Sequence, residues 1–253
     1  MANSLLFDGV DIGSAVPLFR LIDVQVGGAG RDMRTLPSPI ADGEYFAGAK
    51  NTPRTIAAMF CLPDETERLS SRIHALRQIN TLLSAKTPRA LRSPALGDGY
   101  YNAICTELPS VSQLDWTEEL TATFVAYDPY FYSDFDDLNK ALVSDGTTDI
   151  YINCSGSVRP IIKQTIAFAL PDPSWVCSNG QSIMLQGDVA AGALVIDCVR
   201  REITLNGASI LAQLSLDSLF FEFSPNPEAG ATPHTITCSN GAAGKITGKY
   251  RWL

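Results

Sequence analysis

The spacing of apolar positions changes period along this chain, and the changes divide it. Residues 5–26 alternate loosely and predict two short strands. Arg54 to Leu62 alternates more regularly and predicts another. Then the period lengthens: Leu69, Ile73, Leu76, Ile79, Leu82 and Leu83 fall on one stripe of a helix, predicted over about residues 64–86. Asp64 follows Pro63 as an N-cap, Glu67 completes a capping-box pattern, and Pro88 closes the element. His74 lies off the stripe and reads as an exposed helix histidine, not a ligand. Period two returns after the turn signal Gly97-Asp98-Gly99, with a strand over Tyr100–Glu107. It is cleanest from Leu120, where Leu120, Ala122, Phe124 and Ala126 share one face. Pro129 lacks an N–H and pushes Asp128 toward extended geometry, so that strand stops there.

Beyond residue 140 the pattern is almost entirely strand. Ile162, Gln164, Ile166, Phe168 and Leu170 alternate; Leu194–Asp197, Ile203–Leu205, Phe220–Phe223 and Thr235–Cys238 follow. Asn-Gly occurs at 179–180, 206–207 and 240–241, each time beside alternating segments, which is a strong hairpin signal. The last strand sets Lys245, Thr247, Lys249 and Arg251 on one face and Ile246, Gly248, Tyr250 and Trp252 on the other. Short strands at this spacing predict a β-sandwich. The predicted division is a mixed domain over 1–139 and an all-β domain over 140–253. Between the strands of the first, Gly27 to Asn51 is rich in Gly, Pro, Asp and Arg and reads as a long excursion, a candidate arm. Its glycines make no G-x-G-x-x-G turn before a helix, so they give little support to a nucleotide site.

Composition narrows function. Hydrophobic residues make up 45% of 253 positions and mean hydropathy is +0.06, values of a folded chain with ample core. No run approaches a membrane span, and the first residues lack the basic start of a signal peptide, so no membrane insertion and a cytoplasmic origin are expected. The charge of −8 is uneven: residues 1–139 hold 18 acidic against 11 basic side chains, and Ser93–Asn139 has no Lys or Arg. Such a surface repels phosphate backbones and disfavours nucleic-acid binding. The six cysteines lack close spacing and read as free thiols; without C-x-x-C and with only His74 and His234, no metal site is expected. Asp134, Asp136 and Asp137 are loop carboxylates with no catalytic grouping around them. No catalysis and no cofactor are predicted.

Leu120 to Tyr132, with its Asp128-Pro129-Tyr130-Phe131-Tyr132 ending midway along the chain, resembles the distal tail proteins of long-tailed bacteriophages. Asn153-Cys-Ser-Gly156-Ser-Val-Arg-Pro160-Ile-Ile162 is close to the opening of that family's second domain. Leu194–Asp197 with Ile203–Gly207 looks like its paired strands, and Lys249-Tyr-Arg-Trp-Leu253 like its basic-aromatic ending. Arg31-Asp-Met-Arg34 and Pro53-Arg54-Thr-Ile56 fit the family's Arg-rich early segment only loosely.

The resemblance implies a mainly β fold with one helix: an N-terminal β-sandwich or barrel-like ring domain and a C-terminal galectin-like β-sandwich. It implies a structural virion component, assembled in the host cytoplasm, forming a homo-hexameric ring at the tail tip. That ring joins the tail tube and tape-measure proteins to the tail-tip hub protein, with receptor-binding proteins as further partners, and DNA passes through it unbound. If residues 1–139 build the ring, Asp98, Glu107, Asp115, Glu118 and Glu119 are the candidate channel-lining acids. The alternative is a carbohydrate- or receptor-binding sandwich module. On that reading Trp175 could stack on a sugar, or equally plug a loop, while Trp252, on the apolar face of its strand, is expected in the core.

Overall fold

A computed structural model describes residues 4–37, 42, 44–61, 69–110, 119–226, 231–239 and 242–253. The chain forms two units, the first running to Phe131 and the second from Tyr132 to Trp252. Each has its own core.

In the first unit, β1 (Leu6–Phe7) and β2 (Val10–Asp11) turn about Asp8 and Gly9, both at positive φ. Asp11 caps the short helix α1 (Ile12–Ala15) by accepting the Gly13 N–H at 3.2 Å. There follow β3 (Arg20–Val26), β4 (Arg31–Pro37), β5 (Glu44–Asn51), β6 (Arg54–Cys61), the helix α2 (Leu69–Leu83), β7 (Arg89–Arg92), β8 (Gly99–Glu107) and β9 (Glu119–Ala126). An antiparallel sheet runs in the order β2-β1-β7-β8-β9-β6-β3. Leu120, Ala122, Phe124 and Ala126 of β9 are fully buried, as their alternation predicts, and so are Ile56, Ala58 and Phe60 of β6 beside them. Each large side chain of that set contributes roughly 1.5–3 kcal/mol by leaving water. From α2, Leu76, Ile79 and Leu83 enter the same core, and His74 is exposed as expected. The predicted cap, Asp64 with Glu67, lies outside the described residues.

Two corrections concern this unit. The excursion after Gly27 is a β-hairpin, β4 paired with β5, and not a long loop. Strand patterning failed there because both faces of the hairpin are exposed, so no burial imposes alternation. The strand β7 and the four-residue α1 were also unforeseen; both are shorter than a periodic pattern can register.

The chain enters the second unit through β10 (Phe131–Ser133), whose Ser133 N–H donates to the Tyr250 carbonyl at 3.1 Å. Then come β11 (Leu138–Leu142), β12 (Thr147–Ile152), β13 (Ile161–Ile166), β14 (Leu170–Pro171), β15 (Ser174–Cys177), β16 (Ser182–Met184), β17 (Asp188–Val189) and β18 (Gly192–Asp197). The unit ends with β19 (Glu202–Leu205), β20 (Ala208–Ser209), β21 (Thr232–Ser239), β22 (Gly244–Gly248) and β23 (Arg251–Trp252). Two antiparallel sheets form, β11-β22-β13-β18-β19-β20 and β12-β21-β15-β16, and their inner residues make one core. This is the expected sandwich. β11 spans residues 139 and 140. Asn206 and Gly207 carry φ of +52° and +82° between β19 and β20, the geometry Asn-Gly supplies to a tight hairpin. Asn179-Gly180 turns β15 into β16; Asn240-Gly241 lies outside the described residues.

Three further corrections fall here. The final strand is not continuous: β22 and β23 are separated at Lys249 and Tyr250, where the Tyr250 N–H turns to the Asp137 carboxylate at 3.0 Å. Trp252 is 37% exposed and meets the Tyr250 ring edge-on at 6.2 Å, so it is not a core residue. Residues 220–223 are not a strand. Phe221 and Phe223 are buried, but the Glu222 N–H goes to the Gln181 side chain at 2.8 Å, leaving a single bridge between Phe223 and Val158. On the edge strand β11, Lys140 lies on the inward side with Leu138 and Leu142, opposite Ile246, yet remains exposed.

Candidate functional site

The hairpin β4–β5 is the feature of the first unit that its own core does not explain. Its base is fastened by the Gly27 N–H to the Thr55 carbonyl at 2.8 Å and the Thr52 N–H to the Gly30 carbonyl at 2.9 Å. Register places Met33 against Ala49 and Thr35 against Phe46 on one face. Leu36 and Tyr45 pair on the other, with Asp32 opposite Lys50. A bulge at Gly48, where φ is +144°, shifts the ladder between Arg34 and Thr35. Met33 and Leu36 are each 59% exposed, Tyr45 57% and Phe46 65%. A two-stranded ribbon is marginal in water, and clustered exposed apolar side chains mark an interaction surface.

The acidic candidates do not form one cluster. Asp98 lies in the turn before β8, and Glu107 is the last residue of that strand. Nine residues of strand separate them by about 30 Å at the usual rise. Glu107 accepts the Thr123 hydroxyl at 2.9 Å across to β9, and Glu119 begins β9 toward that same end of the ladder. All three are exposed. Asp115 and Glu118 lie outside the described residues. The aromatic ending packs: the Tyr130 hydroxyl accepts from Asn51 Nδ2 at 3.3 Å, and Phe131 tilts against Tyr101 at 5.1 Å.

In the second unit, residues far apart in sequence meet at Glu222. The Ser157 hydroxyl donates to one carboxylate oxygen, and Arg159 Nε and Nη2 donate to the other at 3.2 and 3.1 Å. Arg251 holds Ser157 in turn, through its carbonyl at 2.6 Å and its hydroxyl at 2.5 Å. The hydrogen bond from Ser157, reinforced by Arg159 against some desolvation, keeps the Glu222 carboxyl below its ordinary range. Sequence reading missed this constellation, for Ser157, Glu222 and Arg251 share no motif. Trp175 is fully buried with its indole N–H on Gln164, so it plugs the core and cannot stack on a sugar. All six cysteines are free thiols, and Cys177, Cys198 and Cys238 are buried. Burial pushes the Cys198 thiol up to about 12 and those of Cys105 and Cys238 up to about 11. Among the described residues no group of three His, Cys, Asp or Glu could hold a metal ion.

The first unit is thus a β domain with an exposed hairpin and one long helix, and the second an antiparallel sandwich. Residues 155–252 match the family model of the siphovirus-type tail component, C-terminal domain. Comparison with curated proteins finds no match. The crystal structure of SPP1 Dit (gp 19.1), a hub adsorption apparatus protein of phages infecting Gram-positive bacteria, is similar over 100% of both chains, with a TM-score of 0.82 and 13% identity. The phage P2 baseplate in its activated conformation with Ca is similar over 98% of this chain and 97% of that one, with a TM-score of 0.53 and 8% identity. The second unit therefore belongs to the siphovirus-type tail component family, and the whole chain has the distal tail protein fold. The matched family model and the similar fold are both those of phage tail components.

Proposed function

We propose that the protein forms a homo-hexameric ring at the tail tip, joining the tail tube and tape-measure proteins to the tail-tip hub protein, with a channel for DNA passage. One observation carries the reading: the hairpin β4–β5 exposes apolar side chains on both faces, Met33 and Phe46 on one and Leu36 and Tyr45 on the other, and its own unit offers them no cover. A neighbouring subunit in a closed ring would bury them on every protomer alike. Asp98, Glu107, Asp115, Glu118 and Glu119 are the acids proposed to face the channel, where negative charge lets a polyanion pass without adhering. The separation of Asp98 from Glu107 along β8 suits two levels of acid along such a lumen better than one band.

Mass photometry and negative-stain imaging across a concentration series test this. A six-fold ring with a central hole is expected from the wild-type chain. The double variant Met33→Asp, Phe46→Asp should stay monomeric with its melting temperature unchanged. A wild-type protein that is monomeric at every concentration and absent from the tip of intact tails refutes the ring.

A further inference from the structure

A cavity of about 390 Å³ with a mixed polar and apolar lining opens on the second unit beside Glu222, and Arg159, Gln181, Arg201, Ser218, Phe220 and Phe221 are among the residues that line it. The volume falls in the range of small-molecule sites. Nothing in the ring reading uses it. We infer that this cavity binds a small organic oxyanion, a carboxylate or phosphate ester borne on a compact ring.

The lining is rich in donors and poor in free acceptors. Arg201 makes no hydrogen bond or ion pair among the described residues. Its charge therefore enters the cavity uncompensated. Arg159 spends Nε and one N–H of Nη2 on Glu222, which leaves the Nη1 donors for a ligand. Gln181 uses its carbonyl oxygen to accept from the Glu222 N–H and from Asn179, so its amide N–H groups remain to donate. The carboxylate of Glu222, which would repel an anion, is occupied by Ser157 and Arg159. Guanidinium donors on this lining match an oxyanion, and Phe220 and Phe221 beside them offer apolar surface to the face of a ring.

The site is also built to keep its shape. Arg159 is fixed through Glu222, which Ser157 and Arg251 hold from behind. Arg201 sits at φ +58°, a left-handed backbone that non-glycine residues seldom adopt. The turn that imposes it is locked by the Asp197 carboxylate, which accepts the N–H groups of Val199 and Arg200, both at 2.9 Å. With the Arg159 guanidinium and the backbone of Arg201 already fixed, a ligand has only the Arg201 side chain left to order.

Isothermal titration of the full chain with glucuronate, glucose 6-phosphate and neutral glucose tests the inference. At least one of the two anions should bind, glucose should not, and affinity should fall as salt rises. Preference between the anions identifies carboxylate or phosphate as the natural group. Arg201→Gln should weaken binding by about tenfold or more, the scale of a lost charge-assisted hydrogen bond, while leaving the melting temperature unchanged. Phe220→Ala should weaken whichever anion binds without altering which is preferred. Failure of both anions to bind, equal binding of glucose, or full affinity in Arg201→Gln would each overturn the inference.

Discussion

The indole N–H of Trp175 donates to the Gln164 side-chain oxygen at 3.0 Å, joining the two sheets of the sandwich through a hydrogen bond buried on both sides. Gln164 also donates from Nε2 to the Ala242 carbonyl at 2.5 Å, so both ends of its amide are used. Gln164→Leu strands the indole N–H and that carbonyl together and should cost about 2–6 kcal/mol, at about 1–3 kcal/mol for each group left unsatisfied. Urea unfolding followed by tryptophan fluorescence reads the loss, and an unchanged midpoint would contradict it.

Close packing between strands makes a second prediction. A Cβ on Gly244 would lie 2.3 Å from the Lys163 carbonyl oxygen and 2.9 Å from the Gln164 Cα, both backbone atoms of the neighbouring strand. One on Gly248 would meet Val158 Cγ1 at 2.9 Å and Leu138 Cδ2 at 3.4 Å, side-chain atoms with some freedom. Gly244→Ala should therefore destabilise by about 1–3 kcal/mol or more, and Gly248→Ala by less. Thermal melts of the two variants should rank in that order.

Thiol chemistry gives the third. With Cys198 pushed up to about 12, and Cys105 and Cys238 to about 11, their thiolate forms are scarce at pH 8. A thiol reagent should leave these three largely unlabelled in the native protein and label all six in denaturant. The sign of the linkage follows from raised folded values: stability from burying neutral thiols is full below the ordinary value of 9.0. It is lost as pH rises from there through 11–12. Mass spectrometry of labelled peptides, at pH 8 and again at pH 10.5, checks both statements.

The fourth prediction concerns Glu222. Its carboxyl is held below its ordinary value of 4.5, first by Ser157 and then by Arg159. The associated stability is present above pH 4.5 and lost as pH falls through the lower folded value. Ser157→Ala should move the titration of this carboxyl back toward 4.5, as followed by carbon-detected NMR. A titration that does not move would remove Ser157 from its role.

How much of this was legible in the sequence depended on burial. Leu120, Ala122, Phe124 and Ala126 wrote their strand plainly because one face sits in the core. The α2 stripe was equally readable. The hairpin β4–β5 was not, since nothing buries either face and its composition resembles a loop. Phe220–Phe223 misled in the opposite sense: its apolar residues are buried, yet Glu222 sends its N–H to a side chain and breaks the ladder. The Ser157–Arg159–Glu222–Arg251 constellation left no local trace, because its members come from opposite ends of the sandwich sequence.

Lys140 guards one border of the larger sheet against pairing. It places a charge on the inward side of β11, the border of the larger sheet, where a flush second strand would have to bury it. At the other border β20 is two residues long and offers almost no template. Sandwiches with such borders can be packed shoulder to shoulder without fusing into continuous sheets. The molecule thus keeps its stickiness where the hairpin puts it and is inert along the borders of its larger sheet.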